Sequence, residues 1–287
     1  MPGLGLKERI LRAWKDRPRR RLMVVTDITR MEGERVCVGG YLEDGTTVRP
    51  VAGRAGPDER WLRSARGAPV IPFSLVELHV GRAPKRLSAP HTEDRTIPAK
   101  GHRVLRILSE QERQALLGQS LSPSVRAIFD AEIHADANGQ WGRYVRAGEG
   151  LRSLGTVRAT SIRTVRYQHY PERGRWDYRL RFVDGSGEEF QLAVVDLDFR
   201  HRLDALRDGG LPLERIGPTV LTALRQQAVY LRIGLARGWA KHPDRCYLQI
   251  TGVYGFQAGE GDGVMGSEGS KHDPPQLPST PLSPKHP

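Results

Sequence analysis

The chain has 287 residues, 38% of them hydrophobic, and a formal net charge of +12 from 45 Lys and Arg against 33 Asp and Glu. That length holds two small cores or one large one, and the modest apolar share leaves part of the chain to loops. No run of about 18 apolar residues exists to span a bilayer, and the two cysteines, Cys37 and Cys246, make no disulfide framework.

The charge favours a polyanionic partner and says nothing about fold. The first residues lack an apolar leader core, so a cytoplasmic, reduced setting is expected. Leu6, Ile10, Ala13 and Trp14 share one side at helical spacing. The basic run that follows, Lys15, Arg17 and Arg19–Arg21, reads as an arm on phosphates or as a solvated linker.

RLMVVTD (Arg21–Asp27) predicts a first strand. Val36 to Leu42 predicts a second, bent or bulged at Gly39-Gly40. Asp44-Gly45 is a hairpin signal before a third strand, Thr46 to Val51. Pro57 to Ala65 predicts a short helix, and Phe73 to Val80 a fourth strand. A fifth lies near His102–Ile107 or beyond the helices that come next.

Those helices are announced by Ser109 with Glu112, a capping box, and by Ser122-Pro123 as N-cap and first helical residue. Asn138-Gly139 and Gly148-Glu149-Gly150 mark loops. Strands return with Thr156–Tyr167. Next, Trp176, Tyr178, Leu180 and Phe182 alternate with Asp177, Arg179 and Arg181, a half-buried strand with a basic outer face. Phe190, Leu192 and Val194 alternate again, and Asp196 caps a helix ended by Gly209-Gly210. Two apolar strands, Ala228–Leu235 and Cys246–Tyr254, close the series around the tip ARGWAKHPDR. From residue 257 onward, Gly, Ser and Pro dominate, as in a disordered tail.

Strand, strand, strand, helix, strand, strand is the order of the OB-fold, a five-stranded Greek-key barrel. The reading is therefore mainly β: a helix and basic arm (1–20), an OB-like barrel (21–104), a helical insertion (105–154), a second OB-like barrel (155–256) and the tail (257–287). The stretches ERVCVGGYLEDGTTVRPV, LAVVDLDF and RCYLQITGVY resemble the dual OB-containing domain family of prokaryotes over about residues 21–255. The resemblance implies two OB barrels and a nucleic-acid role, and it carries over no catalytic set. Val48 stands where that family has an aromatic before Arg-Pro.

OB barrels bind oligonucleotides across strands two and three, walled by the 1–2 and 4–5 loops. In the second barrel, Tyr170 and Trp239 are the stacking candidates. Arg173, Arg175, Arg237, Lys241 and Arg245 are the phosphate candidates, with Arg179 and Arg181 on the floor between them. The two loops are expected to face each other over one positive trough. Arg49 is a further candidate, or else a turn-shaping partner of Asp27 or Asp44. No cofactor or metal is expected, since no CxxC or HxxxH cluster exists. The function expected is non-catalytic binding of single-stranded or modified DNA or RNA within a defence, repair or modification system. A protein adaptor using the barrels and tail, and a metal-dependent nuclease using Asp184, Glu189 and Gln191, are the alternatives.

Overall fold

The computed structural model describes residues 19–257, apart from 32–34, 53–56, 64–67, 86, 99–100, 137–141 and the Arg173 side chain. The expected N-terminal helix and the tail lie outside these residues. The chain is mainly β and forms two sheets.

β1 (Arg19–Arg30), β2 (Val36–Leu42) and β3 (Thr47–Val51) form an antiparallel meander, with β4 (Ser74–Val80) on the other side of β1. β5 (Asp94–Thr96) runs parallel to β3. Gly81 donates its N–H to the Thr96 carbonyl at 2.7 Å and Thr96 donates to Arg82 at 2.9 Å, which closes the barrel. The fifth strand is thus Asp94–Thr96, three residues too short to show a pattern. The segment near His102 is β6 (Arg103–Ile107), which lines the outer edge of β4. Gly40 is obligatory, because a Cβ there would lie 2.0 Å from the Val24 carbonyl oxygen. The bulge falls opposite it, in β1 between Val25 and Asp27. Residues 57–63 form turns rather than a helix, pinned where Asp58 accepts the Trp61 N–H.

The middle segment is less helical than expected. α1 (Glu110–Gln119) has its capping box as read. α2 (Arg126–Phe129) starts after Val125 instead of at Ser122-Pro123, because Ser122 donates to the Thr156 carbonyl and Asp184 accepts the Val125 N–H. β7 (His134–Ala135) and β8 (Arg143–Arg146) then pair, and β8 lies along the last strand of the chain.

β9 (Leu154–Arg158) and β10 (Ser161–Tyr170) follow each other across Ala159-Thr160 and form the two ends of the sheet order. β11 (Arg175–Val183), β12 (Glu189–Val194), α3 (Leu197–Asp208), α4 (Leu213–Arg225), β13 (Gln227–Leu235) and β14 (Arg245–Gln257) follow. The order β10-β11-β12-β14-β13-β9, with β12 parallel to β14, closes a second OB barrel. α4 went unread because Gly217-Pro218 interrupts its pattern. Gly217 lets the helix rest on β10: a Cβ there would sit 2.3 Å from the Val165 carbonyl.

β13 explains how the barrels join. Val229, Leu231, Ile233 and Leu235 enter the second core, while Ala228, Tyr230 and Arg232 meet the first barrel. Arg232 is fully buried. Its Nε and Nη2 donate to the Asp27 carboxylate at 3.1 and 2.9 Å, and Nη1 donates to Thr156 Oγ1 at 2.9 Å and to the Tyr41 hydroxyl. Burial by itself raises the Asp27 carboxyl, yet Arg232, Thr251 and Thr26 hold it below the usual range. Phe73, Leu108 and Leu117 pack beside this network against Tyr230, Tyr254 and Phe256.

Removing one member of a buried pair strands the other charge. Arg232→Met is expected to cost about 3–5 kcal/mol in urea unfolding, and Arg232→Met with Asp27→Leu less than the two single changes summed. Additive losses would contradict the pairing. A second expectation concerns His91, whose Nε2 lies 3.2 Å from the Leu235 carbonyl. Burial, then Arg49 and Arg237, push it down to about 3. Its contribution is therefore complete above the unfolded value of about 6.5 and is lost as pH falls toward 3. Between pH 6.5 and 4, wild-type stability should fall more steeply than that of His91→Gln, by up to about 1.4 kcal/mol per pH unit. Parallel pH profiles would remove His91 from this role.

Candidate nucleic-acid interface

The two barrels use their strand 2–3 faces oppositely. In the first, the outward residues of β1–β3 include Asp27, Gly39, Tyr41 and Arg49, and β9, β13 and β14 cover them. Arg49 is 6% exposed, and its Nε donates to Asp94 Oδ1 at 2.7 Å. This corrects its place among the phosphate ligands: burial puts it out of reach, and its partner is neither Asp27 nor Asp44.

In the second barrel the equivalent face is open. Arg166, Arg179, Ala193 and Gln249 are successive cross-strand partners over β10, β11, β12 and β14, and all four are partly exposed. Arg179 Nε pairs with Asp177 Oδ2 at 2.9 Å, and Arg181 Nε with Glu189 Oε1 at 2.7 Å.

At one end lies the β10–β11 turn, a 3-10 turn at Pro171–Arg173 closed by Gly174 at φ +54°. Arg175 is exposed there, and the Arg166 guanidinium lies 5.8 Å from the Tyr170 ring and bonds its hydroxyl. Trp176 turns toward α3, stacked on Tyr167 at 4.6 Å with Arg207 4.8 Å from its ring. Asp204 accepts the Tyr167 and Tyr178 hydroxyls, each at 2.8 Å, which anchors the hairpin to the helix.

At the other end lies the β13–β14 loop. Trp239 is 51% exposed, with the Lys241 ammonium 5.7 Å from its ring. A row of rings runs inward from it: His242 at 5.6 Å, then Tyr247 at 6.2 Å, Tyr144 at 5.7 Å and His134 at 5.4 Å. Arg245 lies 4.9 Å from the Tyr144 ring and pairs with Asp136, which also accepts the Tyr247 hydroxyl at 2.9 Å. Arg237 pairs with Asp94, which joins this loop to the first barrel.

The strand register overturns the expectation of two loops facing across one trough. β12 is parallel to β14 (Ala193 opposite Gln249) and antiparallel to β11 (Val183 opposite Glu189), so the start of β14 lies at the far end of β11 from Arg175. The loops bracket the face at opposite ends of its strands. Tyr247 and Gln249 were legible from alternation with Cys246 and Leu248 but were not singled out. Tyr144 and His134 carry no such signal, since β7 and β8 are too short.

Asp184 is consumed structurally. It is fully buried and accepts the N–H groups of Val125, Ser186 and Glu188 and the Ser186 hydroxyl. Among the described residues, no group of three His, Cys, Asp or Glu is placed to hold a metal ion, and no helix is long and apolar enough to cross a membrane.

Comparison with curated proteins and with solved structures returned no match. A family model, Dual OB-containing domain, matches residues 20–253. With both barrels closed in OB order over that same span, the chain belongs to the dual OB-containing domain family.

Proposed function

We propose that the protein binds single-stranded nucleic acid without catalysis, laying the strand over β11 and β12 between Tyr170 and Trp239. The half-exposed Trp239 at the head of a row of rings carries this reading. Unpaired bases offer flat faces to such rings, and each stack contributes about 1–3 kcal/mol whatever the base. A duplex keeps those faces inside its stack, so single strands are preferred. Arg179, Arg181 and Arg245 already hold carboxylates, so the exposed Arg175 and Lys241 are the readier phosphate contacts.

Trp239→Ala should weaken binding of single-stranded oligonucleotides by roughly 5- to 150-fold with the salt slope unchanged. Lys241→Ala should weaken all sequences alike and reduce that slope by about 0.7. Filter binding of single- and double-stranded DNA and RNA at two salt concentrations reads both effects. No binding to any of them at low salt would sink the proposal.

A further inference from the structure

We infer that each molecule carries one nucleic-acid face, not two, and takes one short strand, the first barrel acting as the scaffold that presents the second barrel's binding loop. This inference rests on the single-strand reading above. An OB barrel offers its ligand the outer side of strands two and three. On the first barrel that side has no room for a nucleotide. A Cβ on Gly39 would already lie 3.0 Å from Leu154 Cδ1 and 3.0 Å from Asp27 Oδ2. The Tyr41 hydroxyl accepts from Arg232, and Thr29 forms a β-bridge with Asp196.

The cation this side would offer a phosphate is also committed. Arg49 is held on Asp94, and the other oxygen of Asp94 holds Arg237, two residues from Trp239. His91 lies beside the Leu235 carbonyl, where the same loop begins. The first barrel therefore grips the root of the loop that carries the exposed ring. Freeing its own face would separate Asp27 from Arg232 and wet Phe73, Tyr230, Tyr254 and Phe256. Binding a strand there would have to offset both losses. On the second barrel, Arg175, Arg179, Arg181, Gln191 and Ala193 remain partly or fully exposed.

The test titrates the full chain with oligothymidylates of increasing length, reading stoichiometry by native mass spectrometry and affinity by fluorescence anisotropy. One strand per chain is expected. Affinity should level off, beyond the statistical gain from extra registers, within the roughly 4–16 nucleotides that one OB barrel covers. Two strands per chain, or a further rise out to about twice that length, would overturn the inference. A second arm uses Trp239→Ala with Arg175→Glu and Lys241→Glu, which removes the ring and the cations given to the second barrel's face, checked for an unchanged melting profile. Affinity should drop on the order of a hundredfold with no residual tight phase. A surviving tight phase would place a strand on the first barrel and overturn the inference while leaving nucleic-acid binding intact. No binding by the unaltered protein at low salt removes the underlying reading and this inference with it.

Discussion

The contact between Arg232 and Asp27 decides how the rest of the molecule can be used. It joins residues 205 positions apart, in strands of different barrels, with water excluded from both. Arginine suits the place because its planar fork serves Asp27, Thr156 and Tyr41 together. Docking in any other register would bury two uncompensated charges, at several kcal/mol each. The pair therefore selects one docking geometry more than it adds net stability.

That geometry assigns opposite roles to two copies of one fold. Strand alternation gives every barrel an inner and an outer set of side chains. In the first barrel the outer set of β1 to β3 is consumed by the partner barrel. In the second, β9, β13 and β14 provide the covering surface, which leaves β11 and β12 outward. β13 is consequently buried on both sides, which accounts for its nearly unbroken apolar run around a single arginine.

For the proposed strand on the open face, the rings are stronger candidates than the arginines. An exposed ion pair contributes about 0–1 kcal/mol, and a cation already holding a carboxylate must loosen it to meet a phosphate. A base stacked on an exposed ring has no such competitor. In the proposed complex, the basic composition would contribute mainly to how quickly a strand arrives, and the rings to how firmly it stays.

Alternation and end signals in the sequence determined most of the regular structure. Trp176 to Val183, Phe190 to Val194 and the first half of the last strand have the period that half-buried strands require, and Ser109 and Asp196 cap helices as side-chain chemistry demands. These are local properties, encoded within a few residues. Elements that exist because something distant supports them were not legible. β5 is held by β3, β8 by β14, and α4 tolerates Gly217 and Pro218 because it lies on β10. The same limit governs the site. The sequence by itself supplied Trp239, Tyr170 and the arginines as candidates. Tertiary structure alone decided that Arg49 is sealed, that the two loops sit at opposite strand ends, and that Tyr144 and His134 complete the ring row. Periodicity reports which side of its own strand a residue occupies; only the packing of one barrel on the other determines which of those sides meets solvent.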